Sequence, residues 1–431
     1  MNGNTSVEAT VQSIFSAGFE SYRHQHGVSA DQSRAAHAIM QCQTQALGYE
    51  EWICFEDGHT EQQPHSCRHR SCPRCQGAMT HDWLERTQAR LLPCEHYHVI
   101  FTLPHELTAL WQCNREWCAD HLFKASAQTL KELLGDARYL GAEVGLLSAL
   151  HTWGRTLSFH PHVHVLVTGG GLDGEQWRPL KNGYLLPVGV LKAKFRGKWL
   201  SWLNEAYAAG DVNLPPDWTT QHWTQVLRTI ARKTWNIRIQ GAYRHGDGVA
   251  TYLARYLRGG PIKDHRIVSA TPQRVTFRYR DHHDHAEKTM TLSQAQFLSR
   301  VLWHVPVKGQ HHVRYYGLYS AGAAHKRQQV RDHFGVVEAL PSHTQPQPRQ
   351  CPTCGRPLFH RVSVRRQIPV LRNTARANVH AHVQQGAQAV PIDPGAAGQE
   401  LGAVFLPCQG RLSLTFGIKG IPHGKTIICF I

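Results

Sequence analysis

Residues 159–167, Phe-His-Pro-His-Val-His-Val-Leu-Val, leave few choices for the fold around them. Alternate side chains of a strand share a face. His162 and His164 therefore point one way, while Val163, Val165 and Val167 line the other. Such a strand needs an apolar layer behind its valines and a polar site in front of its histidines. Two imidazoles at i and i+2 supply two corners of a metal site on a rigid base. The chain has 31 histidines, so the competing expectation is a half-exposed strand whose histidines bind nothing.

The surrounding pattern mixes strands and helices. Residues 93–103 read as a buried strand stopped by Pro104, and 149–157 as a strand leading into 160–168, which ends at Gly169-Gly170-Gly171. Helical patterns occupy 106–134 and 190–232. A strand at 235–240 precedes a helix over 248–257, terminated by Gly259-Gly260-Pro261, and Arg274–Arg280 alternates as a strand. Hairpins alongside crossovers predict an α+β domain over residues 93–335. In front of it, residues 1–90 carry helical stretches at about 1–40 and 80–92 around a cysteine-rich segment. Behind it no Asp or Glu lies between Glu338 and Asp393. Residues 336–431 read as a basic, poorly ordered tail around Cys351-Pro352-Thr353-Cys354, half a zinc site with His360 or Cys408 in range.

The twelve cysteines cluster instead of spreading. In a large chain that favours metal binding over a disulfide framework. Cys72-Pro73-Arg74-Cys75 places two thiolates on one side of a tight knuckle, ready for a tetrahedral Zn²⁺. Two further ligands are needed from Cys54, Cys67, His59 and Cys42. The reading adopted is Cys54 and Cys67, with His59 as the main substitute. An iron–sulfur site shares the Cys-x4-Cys-x2-Cys spacing, but Arg68, Arg70 and Arg74 suit phosphate better than redox work.

Charge points the same way. The formal net charge is +16, which fits a polyanionic partner, nucleic acid first. From Arg228 to Arg280 twelve Lys and Arg face two acidic residues, Asp247 and Asp264. Within this field lies Tyr252-Leu253-Ala254-Arg255-Tyr256. Residues four apart neighbour each other on a helix, so both phenols would address one site. Taken alone they would read as core; the basic density favours a phosphodiester electrophile. No secretory signal is visible at the start, and no apolar run is long enough to span a membrane.

Together these pieces resemble the two-tyrosine HUH transposases of rolling-circle insertion sequences, the insertion-sequence-91 family. The resemblance spans roughly residues 40–330. It rests on Cys-Pro-x-Cys at 72–75, Leu-His-Thr-Trp-Gly at 150–154, His-Pro-His-Val-His at 160–164 and Tyr-Leu-x-Arg-Tyr at 252–256, with support from residues 276–281 and 314–317. It implies an HUH-type domain with a central antiparallel sheet and flanking helices, preceded by a small zinc module. It also implies single-stranded DNA at transposon ends and target as partner, and a 5′-phosphotyrosine link made by Tyr252 or Tyr256. Mg²⁺ or Mn²⁺ would sit on His162, His164 and a third histidine. His151, on the preceding strand, is the choice, with His160 and His98 as alternatives. Arg255, Arg258, Arg68 and Arg74 are the expected DNA contacts, and a bacterial cytoplasmic protein that meets the nucleoid on binding DNA is the expected setting. A replication initiator or relaxase of the same chemistry is the rival within enzymes. A non-catalytic zinc-dependent DNA-binding regulator is the rival outside them. Asp57 departs from the pattern, standing where the second cysteine of an earlier Cys-x-x-Cys is expected.

Overall fold

The computed structural model describes residues 9–243, 248, 251, 260–281, 283–336 and 348–365. The front begins with α1 (Val11–Gln25) and α2 (Ala30–Gln41). Both open on a capping box, Thr10 with Ser13 and Ser29 with Gln32, which satisfies backbone donors at each helix start. The single helical stretch expected over 1–40 is thus two helices, divided at His26–Ser29. The hairpin β1 (Gly48–Ile53) and β2 (Thr60–Pro64) follows, then α3 (Gln76–Arg90).

The central sheet has five strands. In chain order they are β3 (His96–Thr102), β4 (Gly145–Trp153), β5 (Phe159–Thr168), β8 (Ile237–Tyr243) and β12 (Val313–Gly317). Their spatial order is β12-β4-β5-β3-β8, and every neighbouring pair is antiparallel. Between β3 and β4 lie α4 (Thr108–Cys113) and α5 (Arg115–Gly135). After β5 come the small hairpin β6 (Gly170–Asp173) and β7 (Gln176–Pro179), then α6 (Val188–Ala209) and α7 (Thr220–Arg232).

The alternation along β5 decides which side the helices take. Val163, Val165 and Val167 are fully buried with Val99 and Phe101 against Leu122, Phe123 and Leu130 of α5 and Phe195 and Trp199 of α6. Each such side chain contributes about 1.5–3 kcal/mol by leaving water. The opposite face carries His98, His151, His162 and His164, and beyond them Leu147, Ala149 and Leu166 packed with Tyr319 and Val330.

A second core joins the front of the chain to its later part. The strands β9 (Ile267–Ala270), β10 (Arg274–Arg280) and β11 (Glu287–Ser293) form a sheet in the order β11-β10-β9, followed by α8 (Gln294–Trp303). Phe15 and Phe19 of α1 pack with Phe277, Phe297 and Val301 of this unit. The tip of the β4–β5 hairpin is seated there by Leu157. Its φ of +61° is costly for a side chain with a Cβ, about 1–2 kcal/mol, and complete burial offsets that. After β12 come α9 (Ala324–His333) and β13 (Phe359–Arg365).

The last strand corrects one expectation. Part of the supposed poorly ordered tail, β13, pairs antiparallel with β1 along its whole length. Backbone hydrogen bonding supplied by β1 overrides the disfavoured composition. Residues 366–431 lie outside the described residues. Among the described residues no helix is long and apolar enough to cross a membrane.

Candidate active site and zinc centre

His162 and His164 stand two residues apart on β5, and His151 is the direct cross-strand partner of His162 on β4. One nitrogen from each of the three comes within 4.8 Å of the others. Two antiparallel strands hold all three rings, so the spacing is a property of the sheet and not of loops.

Hydrogen bonds set which nitrogen each ring offers. His162 Nδ1–H donates to the His160 carbonyl at 2.6 Å, which leaves Nε2 with its lone pair. Behind His164 lies a relay. His98 Nδ1–H donates to Gln240 Oε1 at 2.7 Å, so His98 Nε2 accepts from His164 Nδ1–H, also at 2.7 Å. With Nδ1 carrying the proton, Nε2 is the basic nitrogen of His164, as a metal ligand requires. Burial drives His151 and His164 well below the usual imidazole range and His162 to about 4, and neighbouring imidazoles add to the effect. Arg70, on the cysteine loop, adds its positive charge against His151 and His312. All three rings are consequently neutral near pH 7, with lone pairs available to a cation. The donor set therefore fits a divalent metal.

Of the alternatives for the third position, the structure joins His151 to the pair. His160 is exposed, its ring 5.2 Å from that of His162. His98 is fully buried and stands behind His164.

The cysteine cluster forms as a foursome with one change of member. Cys67, Cys72 and Cys75 meet Cys42, not Cys54. Hairpin geometry explains the exchange. Gln43 N–H donates to the His65 carbonyl at 3.0 Å, which closes the base of the β1–β2 hairpin beside Cys42 and Cys67. Cys54 sits at its tip, beyond a six-residue strand that carries it about 20 Å away. There it meets Asp57, Cys351 and Cys354, while His59 belongs to neither group.

Backbone N–H groups also address the sulfurs. The Cys67 N–H donates to Cys42 Sγ at 3.5 Å, and the His69 N–H to Cys67 Sγ at 3.4 Å. Mutual hydrogen bonding holds Cys75 and Cys42 below the ordinary thiol range and pushes Cys67 and Cys72 above it. Four sulfurs this close can all ionise only with a cation among them, and Zn²⁺ suits four cysteines.

Arg68 and Arg74 are exposed, with Arg74 held by Gln12 Oε1. Tyr252, Tyr256, Arg255 and Arg258 lie outside the described residues, but both flanks of their segment are placed. Upstream, β8 carries Gln240 of the relay. Downstream, a Cβ at Gly260 would lie 2.5 Å from the Ser71 carbonyl oxygen, and Ile262 packs in the same core as Cys72 and Cys75. The described residues on either side of it thus stand by the histidine face and by the zinc loop.

Residues 145–328 match the family described as "Putative transposase", and residues 14–103 match the transposase zinc-binding domain. A Sinorhizobium fredii (strain NBRC 101917 / NGR234) protein, "Putative transposase y4qJ", is 36% identical over 367 residues, covering 80% of this chain and 92% of that protein. The chain belongs to the insertion-sequence-91 family of transposases. The transposase for insertion sequence element IS801 of Pseudomonas savastanoi pv. phaseolicola is 33% identical over 290 residues, covering 65% of this chain and 68% of that one. Among solved structures, a metal-bound conjugative relaxase TrwC in complex with oriT DNA covers 37% of this chain and 71% of its own. Its identity is 14% and its TM-score 0.19, too low to place any residue. Membership makes this an enzyme with a zinc-binding front module and favours the transposase expectation over the initiator and regulator ones.

Proposed function

We propose that this transposase nicks and rejoins single-stranded DNA at transposon ends through a 5′-phosphotyrosine intermediate, driving rolling-circle-type transposition. The observation that carries the reading is the convergence of three neutral, strand-mounted imidazoles at His151, His162 and His164. These are a donor set for a divalent cation, in the same sheet as the strand that leads into the tyrosine segment. Mg²⁺ or Mn²⁺ on these residues would offset negative charge on the scissile phosphate. Tyr252 or Tyr256, as tyrosinate, attacks phosphorus; the 3′-oxygen leaves and takes up a proton, and the 5′-phosphate remains on the phenol. A 3′-OH later attacks the same phosphorus, the tyrosine leaves and the strands are joined without an external energy source. Arg68 and Arg74 of the zinc module, with Arg255 and Arg258, hold the backbone of the DNA through phosphate contacts.

A single-stranded oligonucleotide carrying an element end tests this. His162→Ala or His164→Ala should abolish cleavage and leave most DNA affinity. That affinity should fall with salt at a logarithmic slope of about −0.7 per neutralised phosphate. Cleavage that persists unchanged in EDTA would remove the metal from the reading, and an oligonucleotide left intact by the wild type would remove the chemistry altogether.

A further inference from the structure

Two turns nearly three hundred residues apart have the same build. In Cys54-Phe55-Glu56-Asp57-Gly58-His59, Gly58 N–H donates to the Cys54 carbonyl at 3.0 Å and Cys54 N–H to the His59 carbonyl at 2.8 Å. In Cys351-Pro352-Thr353-Cys354-Gly355-Arg356, Gly355 N–H donates to the Cys351 carbonyl at 2.9 Å and Cys351 N–H to the Arg356 carbonyl at 2.7 Å. Gly58 and Gly355 take φ of +72° and +73°, a region open to glycine and unfavourable to residues with a Cβ. Each turn presents its first and fourth side chains together, as zinc knuckles do.

The fold sets the two turns face to face. Cys54 Sγ is 3.5 Å from Cys354 Sγ, and Cys351 Sγ is 3.3 Å from Asp57 Oδ2. One ligand atom from each of the four residues lies within 4.8 Å of the rest. We propose that Cys54, Asp57, Cys351 and Cys354 bind a second zinc ion, and that this ion closes a zinc ribbon whose halves are 48–64 and 349–365.

The surrounding sheet needs such a staple. The order β13-β1-β2 puts one knuckle between β1 and β2 and the other just before β13. Apart from Trp52, the apolar cluster beneath consists of Leu358 and the two cysteines Cys54 and Cys351. The side chains of β2 and β13 are almost all exposed. A unit of under ~40 residues with so little apolar burial needs a metal or cross-link to hold it. The Cys54–Cys354 sulfur separation is well beyond a disulfide's ~2.05 Å and suits a shared ion. Asp57 keeps the ligand charge of the cysteine it replaces but is a harder donor, so zinc is held less tightly here than by the four cysteines around Cys42.

The test uses the full chain with His162→Ala and His164→Ala, so that the histidine site does not contribute, purified without chelator. Elemental analysis should give two zinc ions per chain. Adding Cys351→Ser and Cys354→Ser should leave one, and that remaining ion reports that the Cys42 centre is still folded. Asp57→Cys should keep two and slow chelator-driven loss of the weaker ion at least tenfold. One zinc in the parent, or two in the variant lacking Cys351 and Cys354, would overturn the second site. An unaltered chelation rate in Asp57→Cys would overturn the role of Asp57.

Discussion

Replacing His98 with alanine tests whether the active site is tuned from behind. His98 stands behind the triad: its Nε2 accepts the His164 Nδ1–H at 2.7 Å while its own Nδ1–H is tied to Gln240 at 2.7 Å. Truncation withdraws that acceptor inside a fully buried site. A buried donor left unsatisfied costs about 1–3 kcal/mol. Loss of a hydrogen bond to a ligating histidine costs about 10–100-fold in metal affinity, roughly 1.4–2.7 kcal/mol. The two estimates agree, so His98→Ala should raise the Mn²⁺ dissociation constant by about 10–100-fold, measured calorimetrically at pH 7.5. Cleavage at saturating Mn²⁺ should stay within a few-fold of wild type. His98→Gln, whose amide oxygen restores an acceptor, should recover most of the affinity. An unchanged Mn²⁺ affinity in His98→Ala would refute the relay. A loss as complete as in His164→Ala would show that His98 is itself a ligand.

The front module supplies a sharper contrast. Cys42→Ser should remove the tightly held zinc as fully as Cys72→Ser does, whereas Cys54→Ser should leave that ion in place; elemental analysis after brief chelation reads both. Acid should weaken the fold: His96 and His304 are buried, with pKa values of about 4 and about 3. Because these lie below the unfolded value near 6.5, the unfolded chain binds the protons first. Stability is full above pH 6.5 and falls as pH drops towards 4, by about 1.4 kcal/mol per pH unit for each histidine, and chemical denaturation across that range checks it. Gly260→Ala should destabilise by about 1–2 kcal/mol, since the φ of +70° and the Ser71 carbonyl both oppose a Cβ; a melting temperature equal to wild type would count against that close approach.

Much of the site could be read from spacing because the relevant period was short. A two-residue repeat assigns His162 and His164 to one face and the valines to the other, and a hairpin places His151 opposite. The sheet shows those positions. What escaped was long-range pairing. Cys42 and Cys54 are comparable candidates by sequence distance, and only the closed base of the β1–β2 hairpin separates them. The strand after Cys354 is basic, and its local mark is only the short alternation of Val362 and Val364 with Arg361, Ser363 and Arg365, too little to stand out from the tail's composition; its partner, β1, is about three hundred residues away. His98 was visible as a nearby histidine, but its place behind His164 depends on the β3–β5 register. The same holds for Arg70, whose charge acts on His151 and His312 only because the zinc loop folds back towards the central sheet.

The central claim is that the phosphodiester bond is kept as a bond to tyrosine. Intact-protein and peptide mass spectrometry after incubation with a single-stranded element end and Mn²⁺ measures this directly. An oligonucleotide should be found covalently attached to the peptide containing Tyr252 and Tyr256, and no adduct should form in the Tyr252→Phe, Tyr256→Phe double variant. Cleaved DNA with a free 5′-phosphate and no protein adduct in the wild type, or an adduct persisting in the double variant, would contradict the account.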